Sequence, residues 1–593
     1  MCGIVGCVGK VNTREYLING LKDLDYRGYD SAGLAFLING KTNVYKVVGS
    51  VDKLDEEAPK DIVSSMGIGH TRWATHGRPN TKNSHPHQSM NGIFTIVHNG
   101  VIENFQELKA DLIEKGYTFK SDTDTEVIAN LIECLFKQCN NVTLAIREAM
   151  HMIDGSFAIS MIYQDDPHHL YLIRRSSPLM VGKGKEFYLV ASDATPMIKY
   201  THEVLDLEDD QYAIISENEC EVYDIEGQRV EAKYSTKDPD LLVRDLNGYP
   251  HYMLKEIEEC EQVLRRLMNN FYEDGHFNFE QGLIDEINNS DEILFIACGT
   301  SYHASLIGVR YFEQLGKSAS AFIASEWAYY PYTPGRHPFV IMLSQSGETA
   351  DLTHCMNIVK EKGLKSLVIT NTKGSHLDRV CDFTILLSAG LEVAVASTKA
   401  YVAQTAALAL LTSALKNDGN IINDLEKCCK IISSIRTKHQ KEIKALAKQF
   451  VNSKDLFFLG RGFDYDMCLE ASLKLKEVSY IHSEALPGGE LKHGPIALIE
   501  KDTPVIVFIT DEITASSMRN NIQEVKSRGA DVRVVSTKSL AKPGDSVVVN
   551  DFSYALSPIA VSTVAFYFAY YVSLYKGCNI DKPRNLAKSV TVE

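Results

Sequence analysis

Short apolar runs separated by turn residues fill the first third of this chain. The runs CGIVGCVG, LAFLING and GIFTIVHNG alternate or cluster apolar residues as strands do, and the third is predicted to end at Asn99-Gly100. SFAISMIY, HLYLIRR and FYLVAS continue the series. Apolar residues at helical spacing predict two helices, over residues 102–115 and 123–136. The whole pattern predicts an α+β layered domain over residues 2–215.

From residue 290 onward the chain repeats itself. ILFIACG at 293–299 matches LFFLGRG at 456–462, FVIML at 339–343 matches VIVFI at 505–509, and SLVIT at 366–370 matches DVRVVS at 531–536. Offsets of 163 to 166 residues indicate one βαβ unit used twice. Apolar runs alternating with helical segments predict two doubly wound α/β domains with parallel sheets, over residues 286–425 and 450–583. Ligands of such sheets bind beyond the carboxyl ends of the strands.

Two other segments complete the predicted organisation. Residues 216–285 read as a connector of polar strands and a glutamate-rich helix at 252–272, and residues 584–593 read as a C-terminal tail. Residues 552–575 contain no charge and are long enough to span a bilayer. They also contain five serines or threonines, several tyrosines and Pro558. We therefore expect a buried core or subunit-interface helix there rather than a membrane span.

Composition narrows the class of protein. A chain of 593 residues is long enough for three or more folded units. The net charge of −16 argues against nucleic-acid and anionic-membrane partners, which require a basic surface. Thirteen cysteines without a C-x-x-C pair favour reduced thiols in the cytoplasm and no metal site. The first residues lack a basic region followed by an apolar block, so we expect no signal peptide.

Cys2 is the first candidate for chemistry. If Met1 is removed, Cys2 combines a thiol with an α-amino group. An α-amine titrates at about 7.7 to 8.0 and can act as a base near neutral pH, so one residue would supply nucleophile and proton acceptor together. The alternative is an ordinary buried cysteine at the start of a strand.

Three further motifs in the first domain have both a structural and a functional interpretation. HTRWATHG, at 70–77, is either a solvated turn or the lining of a site for a small zwitterion, with Arg72 gripping a carboxylate. Asn99-Gly100 is either a tight turn or an oxyanion hole built from a side-chain amide and a backbone N–H. The run from Ser121 to Asp124 either caps the following helix or places an acid against a substrate ammonium group.

In the first repeat, SQSGET at 344–349 follows a strand and opens a helix, so its hydroxyls and N–H groups suit a phosphate. Cys298-Gly299-Thr300-Ser301 ends the preceding strand at the same sheet edge and could complete that site; a plain capped turn is the alternative for each motif. The second repeat has Thr510-Asp511-Glu512 in the corresponding place, where carboxylates would repel a phosphate. The sequence therefore predicts one sugar-phosphate site per chain.

The second repeat and the tail contain candidate reactive groups. Glu470, Lys474 and Glu477 occur at i, i+4 and i+7 and share one helix face, as a surface salt-bridge ladder also would. GELKHGP places His493 in a turn, and Lys588 lies six residues from the end in a tail of the kind that usually frays.

Five motifs of the first domain give it a family resemblance. MCGIVG, YRGYDSAG, HTRWATHG, HNG and SDTDTE occur in order and resemble the glutaminase domain of N-terminal-nucleophile amidotransferases. The resemblance implies that Cys2 attacks the amide of L-glutamine and that Asn99 and Gly100 hold the oxyanion. It also implies that the amino-acid end of glutamine is positioned by Arg72, Thr75, His76 and Asp124, with Arg27 near the nucleophile.

The C-terminal half narrows the resemblance. CGTS, SQSGET, VASTKA, LKLKE, GELKHGP and PRNLAKSVTVE resemble the sugar-isomerase (SIS) domains of the glutamine:fructose-6-phosphate aminotransferase (isomerising) family, whose bacterial form lacks the longer connector of animal and fungal members. The resemblance implies conversion of D-fructose 6-phosphate to D-glucosamine 6-phosphate, the first step of hexosamine synthesis, without a cofactor. It implies that Lys588 forms a Schiff base with C2, Glu477 shuttles a proton between C1 and C2, and His493, from a neighbouring subunit, opens the ring. Lys474 and Glu470 would support them, and the sugar phosphate would be bound by Thr300, Ser301, Ser344, Gln345, Ser346, Thr349, Val395 and Ser397.

Ammonia released into neutral water becomes mostly ammonium, so the two activities require a dry internal passage. The resemblance implies that Trp73, one of two tryptophans, gates this passage and that the tail with Lys588 borders it.

Two alternative functions remain open. An amidotransferase that delivers ammonia to a phosphoribosyl donor would need a phosphoribosyltransferase fold, and a noncatalytic sugar-phosphate sensor would need neither Cys2 nor Lys588. A deglycase or a pure isomerase is an intermediate possibility between these two alternatives. A homodimer is expected if His493 serves the neighbouring subunit.

Overall fold

A computed structural model describes residues 2–25, 28–73, 77–236, 245–332 and 335–589. Residues 1–244 and residues 245–588 form two compact units, which we describe separately.

The first unit contains two antiparallel sheets. One has the strand order β15-β11-β9-β10-β1-β4-β2-β3 and the other β14-β13-β12-β8-β7-β6-β5. The strands are β1 Gly3–Gly9, β2 Ser31–Ile38, β3 Lys41–Val48, β4 Met66–Arg72, β5 His87–Gln88, β6 Phe94–Ile102, β7 Gly155–Tyr163, β8 Leu170–Arg175, β9 Met180–Lys183, β10 Phe187–Ala191, β11 Glu203–Asp206, β12 Gln211–Ile215, β13 Cys220–Asp224, β14 Arg229–Val230 and β15 Tyr234–Thr236.

Helices cover the outer faces of both sheets. They are α1 Thr13–Asp23, α2 Val51–Glu57, α3 Phe105–Glu114, α4 Asp124–Cys139 and α5 Val142–Met152. The alternation along β1 explains the layering: Ile4 and Val8 face the core between the sheets, whereas Val5 and Cys7 face α1. The unit is therefore a four-layer sandwich of helix, sheet, sheet and helix, in agreement with the predicted α+β class.

Several predicted boundaries change. The helix predicted at 102–115 begins only at Phe105, because β6 runs through Asn99 and Gly100 to Ile102 instead of ending at them. Helices α1, α2 and α5 were not predicted. The first unit also extends past residue 215, because β13 and β14 continue the sheet beyond β12 and β15 pairs with β11. These strands occupy the first part of the predicted connector.

The second unit contains two five-stranded parallel sheets of matching order, β19-β18-β20-β21-β22 and β24-β23-β25-β26-β27. Its strands are β16 Tyr272–Glu273, β17 His276–Phe277, β18 Glu292–Ala297, β19 Ser318–Ile323, β20 Pro338–Ser344, β21 Lys365–Thr370, β22 Phe383–Leu386, β23 Asp455–Gly460, β24 His482–Pro487, β25 Pro504–Ile509, β26 Asp531–Thr537 and β27 Val547–Val549. Strands β18, β20 and β21 correspond to β23, β25 and β26, which are the three pairs of runs matched in the sequence.

The helices of this unit are α6 Tyr252–Phe271, α7 Gln281–Asn289, α8 Gly299–Glu313, α9 Ala324–Trp327, α10 Ala350–Glu361, α11 His376–Val380, α12 Lys399–Lys416, α13 Asn420–Lys438, α14 Gln440–Phe450, α15 Phe463–Ser479, α16 Glu512–Lys526, α17 Ser557–Ala560 and α18 Ser562–Lys576. One continuous apolar core joins both sheets through α6, α12, α15 and α18. The doubly wound α/β class predicted for both repeats is confirmed.

The apolar segment near the C-terminus is a core element of this unit. Residues 554–576 are the one stretch in the described chain with the length and hydropathy of a membrane span, and 94% of its most apolar 18-residue window is buried within the protein. Its helix α18 packs on α14 and α15. Its apolar composition is thus explained by protein contacts.

Candidate active sites

The sulfur of Cys2 lies against the backbone of Trp73. The Trp73 N–H donates to Sγ over 3.2 Å, and Sγ lies 3.5 Å from the Trp73 carbonyl oxygen. The pairing of β1 with β4, which sets Gly3 opposite Thr71, brings these residues together. A side chain at Gly3 would put Cβ 2.7 Å from Thr71 Oγ1, so glycine permits this close approach.

Asn99 is held with its amide nitrogen towards Cys2. Its Nδ2 donates to the Cys2 carbonyl oxygen over 3.0 Å, while its Oδ1 lies 3.1 Å from Nε2 of His70. The same Nε2 lies 2.9 Å from the His98 carbonyl oxygen. Because both neighbours are acceptors, Nε2 must carry the hydrogen. Burial lowers the pKa of His70 to about 3, so the ring is a neutral donor that fixes the orientation of the Asn99 amide.

The interpretation of Asn99-Gly100 as a tight turn is wrong. Both residues lie inside β6, where they pair with Ala158 and Phe157 of β7. Gly100 has φ +132°, and a Cβ there would lie 1.9 Å from the Ser156 carbonyl oxygen, so no other residue fits.

Arg72 and Asp124 are the two buried charges of the predicted zwitterion site that the structure describes. Arg72 donates to the Gly77 carbonyl oxygen over 3.2 Å. Burial lowers the pKa of Arg72, and Cys2, Asp124 and Asp30 oppose that shift. Asp124 Oδ2 accepts from the Ile102 N–H over 3.1 Å. The cap of α4 is Thr123, which accepts from the Glu126 N–H, so Asp124 does not serve as the cap. Arg27, Thr75 and His76 lie outside the described residues.

In the second unit, residues 344–349 form a loop between β20 and α10, which we call the serine loop. Ser344 Oγ accepts from the Gly347 N–H over 3.0 Å and lies 3.1 Å from Thr349 Oγ1. Ser346 Oγ accepts from the Glu348 N–H over 3.2 Å. Gly347 has φ +67°, and a Cβ there would lie 2.0 Å from Ser375 Oγ. The Gln345 carbonyl oxygen accepts from the Asn371 N–H. The loop thus gathers hydroxyls at the N-terminus of α10, where the helix dipole favours an anion.

Thr300 and Ser301 begin α8 at the same edge of the sheet, because β18 and β20 pair in parallel up to Ala297 and Leu343. Thr300 Oγ1 donates to Glu470 Oε1 over 3.0 Å and accepts from Lys474 Nζ over 2.9 Å. Ser301 Oγ accepts from the Gln404 amide over 2.9 Å. Both described side-chain hydrogen bonds of Thr300 are therefore made with residues of the second repeat, Glu470 and Lys474.

Lys474 is the centre of a buried ionic cluster. Its Nζ lies 3.3 Å from Glu470 and 2.5 Å from Glu477, with Lys474 and Glu470 fully buried and Glu477 19% exposed. Glu470 also contacts His303 Nδ1 over 2.8 Å. Burial raises the pKa of Glu477, and Lys474 opposes this effect. The interpretation as a surface salt-bridge ladder is therefore wrong, and Glu477 is the member of the cluster that remains accessible to a ligand and can hold a proton.

Lys588 is fixed by a carboxylate that the sequence analysis did not single out. Its Nζ lies 2.5 Å from Glu392 Oε2 and 3.0 Å from Ser397 Oγ. The other oxygen of Glu392 accepts from the N–H groups of Thr398 and Ala400, over 2.9 and 3.1 Å. Burial would raise the pKa of Glu392, but the ammonium group of Lys588 and these N–H groups outweigh burial and lower that pKa.

Two more predicted residues complete the description. The Val395 N–H donates to the Asp581 carbonyl oxygen over 3.0 Å, which ties the loop at 394–397 to the segment just before the tail. His493 ends a 3-10 turn, Glu490–His493, and is exposed. In the described part of the chain no side-chain hydrogen bond or ion pair of His493 is present, and none joins it to the groups around Lys588.

The second repeat has its own carboxylate where the first has the serine loop. Asp464 accepts from the N–H and the hydroxyl of Thr510, over 2.8 and 2.6 Å, at the end of β25. Burial raises the pKa of Asp464 to about 6. The Asp464 carboxylate therefore already binds the hydrogen-bond donors of Thr510 at the end of β25.

Comparison with known proteins finds two domain families in the chain. The SIS domain family matches residues 286–414 and 449–574, and the Glutamine amidotransferase domain family matches residues 70–199. Glutamine--fructose-6-phosphate aminotransferases [isomerizing] from Listeria innocua and Oceanobacillus iheyensis are 43% and 44% identical, with all of this chain and all of theirs covered.

A solved structure, the C-terminal domain of glucosamine-fructose-6-phosphate aminotransferase from Francisella tularensis, is 32% identical with a TM-score of 0.54. It covers 57% of this chain and 100% of its own. The chain therefore belongs to the glutamine–fructose-6-phosphate aminotransferase (isomerising) family.

Proposed function

We propose that this enzyme converts D-fructose 6-phosphate and L-glutamine into D-glucosamine 6-phosphate and L-glutamate. The observation that supports it best is that one chain holds both Cys2, whose carbonyl oxygen accepts from the Asn99 amide, and a buried amine, Lys588, in a sugar-isomerase fold. A phosphoribosyl amidotransferase would lack the second group, and a sugar-phosphate sensor would need neither.

In the glutaminase reaction, Cys2 attacks the side-chain amide of glutamine after its own α-amine has taken the thiol proton. The Asn99 amide and the Gly100 N–H stabilise the oxyanion, ammonia leaves, and water hydrolyses the thioester. Arg72 binds the substrate carboxylate and Asp124 its ammonium group, and the same family resemblance assigns supporting contacts to Arg27, Thr75 and His76.

In the isomerase reaction, the serine loop, Thr300 and Ser301 bind the phosphate and nearby hydroxyls, and Val395 and Ser397 line the sugar. His493 opens the ring, and Lys588 forms an imine with C2 of the ketose. Ammonia displaces the lysine, and Glu477 moves a proton from C1 to C2 to give the aminoaldose. Lys474 and Glu470 hold Glu477 in place, and no cofactor takes part.

Ammonia should pass between the two reactions without mixing with solvent, with Trp73 as the gate. With glutamine labelled with ¹⁵N in the amide and an excess of unlabelled ammonium, we expect glucosamine 6-phosphate that retains the label, because ammonia transferred internally does not exchange with the ammonium and ammonia of the solution. Mass spectrometry of the product measures this. Product that carries the isotope ratio of the solution would contradict internal transfer.

We further propose a homodimer in which each His493 serves the neighbouring sugar site, and a cytoplasmic location in which the cysteines stay reduced. Support for the dimer comes from the exposed position of His493 and from the absence of a described bond to its own lysine cluster. A mixture of His493→Ala and Lys588→Arg subunits, unfolded and refolded together, should regain up to one quarter of wild-type synthesis, because half the dimers are mixed and hold one intact site. Each variant refolded alone is the control. A mixture as inactive as its parents would exclude the shared site.

A further inference from the structure

A second buried carboxylate, Glu256, lies beside the one that binds Lys588. Glu256 belongs to α6 and is 1% exposed. Its Oε1 accepts from the N–H groups of Val393 and Ala394, the two residues that follow Glu392. Within the described parts of the chain its Oε2 has no hydrogen-bond partner. A helix of the connector therefore inserts an acid directly behind the lysine-binding loop.

Three charged groups shift the pKa of Glu256: Glu392 faces it from the loop, Lys588 from the tail and Lys399 from α12. The other titratable groups beside it, Glu259 and Cys260, lie on α6 itself. Lys399 is already paired with Glu259, Nζ to Oε2 over 2.6 Å. Burial and the neighbouring Glu392 raise the pKa of Glu256 to about 8. At neutral pH the pair of carboxylates therefore holds one proton, on Glu256, and one negative charge, on Glu392.

We propose that Glu392 accepts the proton that Lys588 must release before it attacks the sugar, and that protonated Glu256 limits the carboxylate pair to a single negative charge. This role rests on the proposed function of Lys588. In the step, the ammonium of Lys588 gives H⁺ to Glu392, and the free amine forms a bond to C2. Glu392 returns that proton to the oxygen on C2, a second proton passes from the attacking nitrogen to the same oxygen, and water leaves. The cationic imine then faces the Glu392 carboxylate again.

The single negative charge matters because the proton has to move easily between Lys588 and Glu392. One carboxylate 2.5 Å from Nζ can exchange a proton with the amine and then stabilise the iminium charge. If Glu256 were also ionised, two negative charges would hold the proton on Lys588 and suppress its attack.

The first test measures trapping of the imine in the full-length enzyme. Wild type, Glu392→Gln and Glu261→Gln are incubated with fructose 6-phosphate and cyanoborohydride without glutamine, and the modified Lys588 peptide is quantified by mass spectrometry. We expect the Glu392→Gln trapping rate at pH 7 to fall by about 100-fold, the usual loss when a proton acceptor is removed. Glu261→Gln changes a carboxylate of α6 that pairs with Arg265 over 3.1 Å, and it should trap at the wild-type rate.

The second test uses pH. The wild-type trapping rate should fall above about pH 8, as Glu256 loses its proton. Glu256→Gln, which resembles the protonated acid, should show no such fall. A structural role for Glu256 would change the rate at every pH and leave the shape of the profile unaltered.

The inference would be overturned if Glu392→Gln trapped the imine at the wild-type rate. It would also be overturned if the trapping rate of Glu256→Gln fell above about pH 8 as it does in wild type. If Glu392→Gln does not fold by circular dichroism, Glu392→Asp and the pH profile of Glu256→Gln decide the question. If wild-type enzyme gives no trapped Lys588 at all, the proposed function of Lys588 fails instead, so the two failures are distinguishable.

Discussion

Cys2→Ala should release no glutamate from glutamine and make no glucosamine 6-phosphate from it. Alanine keeps the bond from the Asn99 amide to the carbonyl oxygen of residue 2 and removes only the sulfur that accepts from the Trp73 N–H, so the oxyanion site remains but nothing attacks the substrate amide. Loss of a covalent nucleophile costs at least about 10⁴-fold in turnover. Glutamate release and aminosugar formation, each followed by chromatography, measure the effect.

Cys7→Ala is a matched control for that experiment. Cys7 lies on the same strand, is fully buried, and has a pKa raised by burial to about 12, so its thiol stays protonated and unreactive. We expect Cys7→Ala to retain both activities, and Cys2→Ala to retain imine trapping at Lys588. Glutamate release by Cys2→Ala at the wild-type rate would remove Cys2 from its role. Fully active enzyme with Met1 still attached would remove its α-amine as the base.

The sequence was most informative where the chemistry and the backbone pattern were local. The strand that follows Cys2, the matched apolar runs of the two repeats and the serine loop each occupy a short stretch, and their hydrophobic period and turn residues are sufficient to predict them. The helices at 13–23 and 142–152 were missed, because their apolar residues occur among many polar ones and tertiary packing stabilises them.

Contacts between distant segments could not be predicted in the same way. His70 orients Asn99 only because β4 and β6 lie on facing sheets, and nothing in HTRWATHG indicates that neighbour. Glu392 lies 196 residues from Lys588 and reads locally as an ordinary acid before an apolar run. The buried state of Lys474 was also hidden, because i, i+4 spacing is the same for a surface ladder and a buried cluster.

Lys588→Arg should abolish synthesis of glucosamine 6-phosphate while glutamine hydrolysis continues. Arginine keeps a positive charge next to Glu392, so the buried ion pair and the fold around it are retained. A guanidinium group does not lose its proton in proteins, so it cannot attack C2 of the ketose. We expect aminosugar formation to fall by at least about 10⁴-fold, because the covalent step is lost.

The same substitution at a neighbouring lysine separates loss of the amine from disturbance of the site. Lys399 is as buried as Lys588 and forms its own ion pair, with Glu259 over 2.6 Å, but it has no described contact with the sugar-site residues. Lys399→Arg should therefore continue to make glucosamine 6-phosphate. Normal synthesis by Lys588→Arg would show that another group forms the imine. Equal loss of synthesis in Lys588→Arg and Lys399→Arg would show that this buried region does not tolerate a larger cation. The loss in Lys588→Arg would then reflect disturbed packing and not the missing amine.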